Sequence, residues 1–265
     1  MAAESARPVA LVTGASAGIG RDLAEVCARD GHDLVLVARR ADALLELAKS
    51  LEAAYGVSAR VFVADLTQPE APARIVEDLE RSKTAVDVLI NNAGSGQYGL
   101  FQHTAVAEEL DTIQINVAAL THLTKLLLPG MLARHRGRIL NVASTAAFQP
   151  GPLMAVYYAS KAYVLHFSEA LANELHGTGV TVTALCPGPT RTGFQARAGM
   201  NNMLLTSGSM MMESAAVARA GYEGMRRGRR VVIPGLLNKL LTLSVRISPR
   251  RLTAAIVRRI QEKRT

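Results

Sequence analysis

Short runs of apolar, largely β-branched residues recur along this chain, and between them lie longer stretches whose apolar positions return every three or four residues. The runs are Pro8–Thr13, Asp33–Ala38, Arg60–Ala64, Val86–Ile90, Arg138–Val142, Val180–Leu185 and Arg230–Ile233. Val35-Leu36-Val37 and Val88-Leu89-Ile90 are apolar at consecutive positions, as strands buried on both faces require. The alternation predicts an α/β protein: a doubly wound parallel sheet of about seven strands with helices on both faces.

The 265 residues fit one domain, 1–265, because single α/β layers often reach this size. No repeat or linker interrupts the chain before about residue 195. The uncharged stretch 139–160 is broken by Asn141, Gln149, Pro150, Gly151 and Pro152, which excludes a membrane span there. Pro8–Val12 is too short for a signal-peptide core. Cys27 and Cys186 form neither a disulfide framework nor, by themselves, a metal site, so no metal is expected, and free thiols point to the cytoplasm. Charge is concentrated at one end: residues 226–265 carry 12 Lys+Arg against one acid, whereas the first 225 carry 18 against 21. The main body therefore lacks the basic surface of a nucleic-acid enzyme.

Six of the seven strands end in small, polar or glycine-containing segments. Ligands of open α/β sheets bind outside the carboxyl ends of the strands, so these segments should converge on one crevice. The first is Thr13-Gly14-Ala15-Ser16-Ala17-Gly18-Ile19-Gly20, a strand-turn-helix passage. Gly14 suits the tight turn, Gly18 the approach of backbone amides to a pyrophosphate, and Gly20 close helix packing; a helix start near Ile19 adds partial positive charge. The second strand ends in Arg39-Arg40 where a fold selective for a ribose hydroxyl would present a carboxylate. A guanidinium there pairs with a 2′-phosphate, predicting NADP(H) over NAD(H), with Arg39 as main contact and Arg40 as a stacking or second phosphate group.

Ser144 closes the fifth strand, and Tyr157 and Lys161 stand four apart on a helical stretch, on one face. An ammonium beside a phenol favours the phenolate and brings a tyrosine toward useful acid-base chemistry. Ser144 can hold the same substrate oxygen. Tyr158 is three residues from the same lysine, and spacing alone does not choose between the two tyrosines.

In order and spacing, these segments resemble the short-chain dehydrogenase/reductase family from about Pro8 to Thr192. The resemblance rests on Thr13–Gly20, Asp65-Leu66, Asn91-Asn92-Ala93-Gly94, Asn116, Ser144, Tyr157-Tyr158-Ala159-Ser160-Lys161 and Pro187-Gly188-Pro189-Thr190-Arg191-Thr192. It implies a Rossmann fold in which Tyr157 is the acid/base, Ser144 its partner, and Lys161 lowers the tyrosine pKa and bonds the nicotinamide ribose. Asn116 is implied to hold a water linking Lys161 to solvent. Gly14, Ser16, Gly18, Ile19, Gly20, Asp65, Leu66, Asn92, Ala93, Gly94, Pro187, Gly188, Thr190 and Thr192 are implied cofactor contacts. The implied reaction interconverts a ketone or aldehyde and an alcohol: hydride passes between NADPH and the carbonyl carbon while Tyr157 serves the oxygen. A homodimer or homotetramer through helices near Ala105–Leu128 and Ala155–Leu175 is implied as well.

Residues 193–226 occupy the family's substrate-lid position and hold Met200, Met203, Met210, Met211, Met212 and Met225, which suits an adaptable apolar pocket and a bulky hydrophobic substrate. The basic helical tail, 235–265, contains a stretch from Ser248 in which Leu252, Ile256 and Ile260 oppose Arg250, Arg251, Arg258 and Arg259. That face suits either an anionic membrane surface or packing on protein, the second being favoured. Two other functions compete: an epimerase- or lyase-type member that keeps its nucleotide, and a non-catalytic NADPH-sensing or scaffold protein. Filled catalytic positions argue against the latter.

Overall fold

The computed structural model describes residues 7–200 and 211–262. Seven parallel strands form the main sheet in the order β3-β2-β1-β4-β5-β6-β9. They are β1 (Val9–Thr13), β2 (Asp33–Ala38), β3 (Ala59–Val63), β4 (Val86–Asn91), β5 (Gly137–Val142), β6 (Val180–Leu185) and β9 (Val231–Val232). All seven apolar runs became strands. The two-stranded pair β7 (Thr190–Arg191) and β8 (Met212–Glu213) lies outside the main sheet. It was not anticipated, since two residues carry no periodicity.

Consecutive apolar positions follow from burial on both faces. Ala10 and Val12 of β1 join a core under α1 (Gly18–Arg29), α2 (Ala41–Tyr55) and α8 (Ser214–Arg226). Leu11, between them, joins the opposite core under α3 (Ala71–Arg81) and α5 (Leu120–Ala133). A helix running Val106–Ala133 is long and apolar enough to cross a membrane. Here it covers the sheet, burying Leu120, Leu123 and Met131. It comprises α4 (Val106–Ile113), a π-helical segment over Gln114–Ala119, and α5. The catalytic stretch of the sequence is α6 (Ala155–Glu174).

Two expectations need correction. Residues 193–226 are not all lid: α8 buries Val217, Ala218, Tyr222 and Met225 in the sheet core, because its small residues let it lie close to α1 and β6. Met203 and Met210 lie outside the described residues. The tail forms two helices, α9 (Leu236–Ile247) and α10 (Arg250–Gln261), with Ser248 ending the first rather than starting the second. Thr253, Val257 and Gln261 form the buried face of α10, whereas Leu252, Ile256 and Ile260 are exposed.

Candidate active site

Chain crossings run to opposite sides of β1 and β4, and the crevice opens between their carboxyl ends, the topological switch point of such a sheet. Gly14 (φ +65°) turns the chain out of β1, and Gly18 (φ +55°) starts α1. A Cβ on Gly20 would stand 2.3 Å from the Gly14 carbonyl oxygen, and one on Gly18 would stand 2.9 Å from Thr192 Cγ2. The loop therefore packs too tightly for side chains. It is braced by β4: the Asn92 carboxamide donates to the carbonyls of Thr13 (2.9 Å) and Gly14 (3.3 Å), while the Asn92 and Ala93 amides both donate to Thr13 Oγ1 (3.0 Å). Asn92 thus holds the glycine turn. No side chain caps the start of α1, so its first amides point outward as donors for an anion.

Arg39 stands at the end of β2 with a side chain 64% exposed, 3.9 Å from Asp65. Asp65 is partly occupied in its own turn, accepting from the Thr67 amide at 3.0 Å. Arg40 donates to the Ser16 carbonyl (2.9 Å) and hydroxyl (3.3 Å), which ties the glycine loop to the second strand. A third cation joins them: Arg197, on α7 (Phe194–Arg197), whose pKa is depressed by desolvation and by the charges of Arg40 and Arg39. Three guanidinium groups lining one end of the cleft make a site for a multivalent anion. Proximity of Arg197 to the arginine pair is a long-range contact and left no sequence signal.

Ser144 Oγ caps a 3₁₀ turn over Thr145–Phe148, accepting from the Ala146 amide at 3.1 Å. It also hydrogen-bonds Tyr157, which pulls that phenol's pKa down; burial is the larger effect and leaves it raised. Tyr157 packs against Phe194 (ring centroids 5.3 Å apart) and edge-on to Tyr158 (6.0 Å). Tyr158 is buried and accepts a hydrogen bond from Gln261. Geometry therefore separates the tyrosines: Tyr157 bonds Ser144, and Tyr158 is committed to α10.

Lys161 is 5% exposed. Its Nζ donates to the Val142 carbonyl at 2.8 Å and lies 5.8 Å from the Tyr157 ring centroid. Desolvation pushes its pKa down to about 8, partly opposed by Cys186. In this arrangement the ammonium faces a carbonyl, and the lowering influence on Tyr157 comes from Ser144.

Asn116 lies in the π-helical segment, a backbone irregularity frequent at functional sites. Its side chain is engaged at both ends: Nδ2 donates to the Ser95 carbonyl and to Ser160 Oγ (both 2.9 Å), and Oδ1 accepts from the Ser95 amide (3.0 Å). Asn116 therefore clamps the loop after β4 to α6 beside Lys161, with one acceptor position left on Oδ1.

A cleft of about 940 Å³ gathers these residues. Gly14, Ser16, Gly18, Ile19, Arg39, Arg40, Asp65, Leu66, Asn92, Ala93, Gly94, Ser144, Tyr157, Lys161, Pro187, Gly188, Thr190 and Thr192 all line it. Gly20 and Asn116 stand one layer behind, as packing and clamping residues. Thr190 Oγ1 donates to the Gly188 carbonyl (2.9 Å), and Thr192 Oγ1 accepts from the Phe194 amide (3.2 Å). The cradle fits a dinucleotide: bare amides at a helix start, a glycine floor and a cationic end.

Residues 8–202 match the family described as short chain dehydrogenase. The chain belongs to the short-chain dehydrogenase/reductase family. It is 35% identical over 182 residues to the very-long-chain 3-oxoacyl-CoA reductase-A of Danio rerio, covering 67% of this chain but 56% of that protein. Among solved structures, a short-chain dehydrogenase from Sphingobium yanoikuyae in complex with NADPH shares 38% identity with a TM-score of 0.81, covering 89% of this chain and 92% of that one. The bulky-bulky ketone specific alcohol dehydrogenase from Comamonas testosteroni shares 34% identity with a TM-score of 0.76, over 91% and 93% of the two chains. A member from Burkholderia phymatum in complex with NAD is also similar, at 25% identity and a TM-score of 0.79 over 91% and 92%. These relatives are named for reductase or dehydrogenase activity, and this chain spans just over half the length of the first curated one.

Nothing in the sequence foretold the far wall of this cleft. Leu241, Thr242 and Val245 of α9 and Thr253, Ile256, Val257, Ile260 and Gln261 of α10 line it. α9 also meets the cofactor side, where Asn238 fills the space a side chain on Gly188 would need.

Proposed function

We propose that the enzyme reduces the carbonyl of bulky apolar ketones, using NADPH in preference to NADH and Tyr157 as the proton donor. The observation that carries this reading is Tyr157 itself: a phenol kept protonated by burial, hydrogen-bonded to Ser144, in a cleft whose other walls are largely apolar. A reduction needs a donor that still holds its proton at neutral pH, and a raised pKa ensures that. The bound coenzyme, when reduced, supplies the hydride. Ser144 orients the substrate oxygen toward the phenol and then donates to the phenolate that remains. Lys161, at about 8, carries its charge through most of the neutral range and moves its donors from the Val142 carbonyl toward the ribose and the new phenolate. Arg39 and Arg197 take the 2′-phosphate, while Arg40 holds the glycine loop through Ser16.

Cleft size and lining, with the bulky-bulky ketones and very-long-chain 3-oxoacyl-CoA for which the Comamonas and Danio rerio relatives are named, support bulky apolar carbonyls. An NADPH-oxidation screen across aldehydes, ketones, 3-oxoacyl thioesters and oxo-steroids tests the reading. Turnover of the bulkier apolar ketones is expected. Interconversion of substrate isomers without net NADPH consumption would replace it with an epimerase reading.

Two surfaces bear on partners. Val106, Leu110, Ile113 and Leu126 on the long helix and Tyr163 on α6 are exposed, supporting a homodimer or homotetramer through these helices, to be read by light scattering. Leu236, Leu240, Leu243 and Ile247 form one exposed apolar face of α9, flanked by Lys239 and Arg246. That combination suits shallow insertion into an anionic lipid surface. Phosphatidylserine vesicles should pellet the wild type at low salt and should release a Leu240→Glu, Ile247→Glu variant.

A further inference from the structure

Exposed apolar side chains are spread unevenly over this molecule. Of the eighteen large ones among the described residues, nine stand on α9 and α10, led by Ile247 at 86% and Leu236 at 74% exposed. Such a concentration marks a surface that is covered in use. Its charge says by what. Residues 236–262 carry six exposed Lys or Arg, and the single acid, Glu262, is paired with Arg258 at 3.0 Å. Two copies joined by this face would press like charges together, whereas an anionic bilayer neutralises them.

Three of the nine have a second place in the structure. Leu241 on α9 and Ile256 and Ile260 on α10 are 54%, 49% and 37% exposed, yet all three line the cleft. A side chain that is open to solvent and also lines a cleft stands at its mouth. Their inward neighbours, Thr242 and Val257, are buried and line the cleft as well. Their outward neighbours, Leu240, Leu243 and Leu252, are exposed and do not line it. The rim therefore runs into the outer apolar face, and the surface suited to lipid borders the way in. We propose that α9 and α10 seat on an anionic lipid surface with the cleft mouth turned into it, so that apolar carbonyl compounds pass from the bilayer into the cleft without crossing water. Leaving a bilayer for bulk water costs an apolar guest free energy in proportion to the area it exposes, and a mouth set in the lipid removes that barrier. The class of guest rests on the ketone-reduction reading above; the orientation on the bilayer does not.

The chain has no tryptophan, so a single introduced indole reports its own surroundings. Three full-length variants carry one each: Leu243→Trp on the outer face, Ile256→Trp at the rim, and Leu45→Trp on α2, an exposed position that does not line the cleft. Each is titrated at low salt with vesicles of equal parts phosphatidylserine and phosphatidylcholine, either plain or with brominated acyl chains. Bromine quenches an indole that reaches the chains. Leu243→Trp and Ile256→Trp should lose about half of their emission to the brominated vesicles, since an interfacial helix sinks roughly 5–10 Å, and Leu45→Trp should lose none. Ile260→Trp serves as the rim reporter if Ile256→Trp does not fold. A quenched outer face with an unquenched rim would overturn the portal. Quenching at neither position, or emission that follows protein concentration and not lipid, would overturn the lipid surface itself, the second outcome pointing to another copy of the chain. No substrate is present, so the result stands whether or not ketones are reduced, and a ketone screen without turnover would count against the reduction reading alone. Where ketones are reduced, one dissolved in the bilayer should turn over severalfold faster from phosphatidylserine vesicles than from pure phosphatidylcholine ones, a difference that Leu240→Glu, Ile247→Glu removes. Equal rates from the two would overturn passage through the lipid.

Discussion

Replacing Lys161 by methionine should make the protein more stable and catalytically inert. Burial of the ammonium moves its pKa from 10.5 to about 8, and at roughly 1.4 kcal/mol per pH unit the charged form costs about 3 kcal/mol in the folded state. Methionine removes that cost and fills a similar volume. It also deprives the Val142 carbonyl of its 2.8 Å donor, a loss of about 1 kcal/mol. The net gain at pH 7 is about 2 kcal/mol, or roughly 5 °C in Tm for a chain of this size. The pH dependence has a definite sign. Below about 8 the lysine is charged in both states and the full cost applies. Between there and 10.5 the folded protein gives up its proton while the unfolded chain keeps it, so wild-type stability rises and the gap to the variant closes. Urea denaturation of both proteins at pH 7 and pH 10 measures this. A variant less stable than wild type at pH 7, or a stability difference that does not change with pH, would refute the reasoning.

Other outcomes follow from the same geometry. Arg39→Ala should weaken NADPH binding about tenfold and leave NADH binding nearly unchanged, the loss being at the low end for a charge-assisted hydrogen bond because the side chain is 64% exposed. Arg197→Ala should act in the same direction, and fluorescence titration with both coenzymes reads each variant; equal losses for the two coenzymes would remove the arginines from phosphate recognition. Ketone reduction should be flat through neutral pH and fall as Lys161 loses its proton above about 8. A reduction rate that climbs into alkaline pH would contradict a protonated Tyr157 as donor.

Much of the scaffold was legible because its causes are local. Strands such as Val35-Leu36-Val37 announce burial on both faces, and the glycines, Asn92 and the Ser144–Tyr157–Lys161 set sit where strand ends must converge. What was not legible depends on contacts far apart in the chain. Gln261 reaches Tyr158 across 103 positions and Tyr98 across 163, and no periodicity in the tail foretells that fold-back. For the same reason the buried face of α10 was not foreseen. Leu252, Ile256 and Ile260 are the more apolar set, but Thr253, Val257 and Gln261 are the buried one. Met225 looked like lid chemistry, yet it is core, because α8 completes the layer that α1 begins. The direction of the Lys161 amine also needed the structure, since i, i+4 spacing places two side chains on one face without saying what each one meets.

The central claim is that the Tyr157 hydroxyl, and not its neighbour's, delivers the proton. Single-turnover reduction of a bulky ketone by Tyr157→Phe and Tyr158→Phe, each with its NADPH dissociation constant measured in parallel, tests it directly. The account predicts that the first variant loses about a hundredfold or more in rate with coenzyme affinity unchanged, while the second retains its chemistry. Retained reduction in Tyr157→Phe, with the loss falling on Tyr158→Phe, would contradict it.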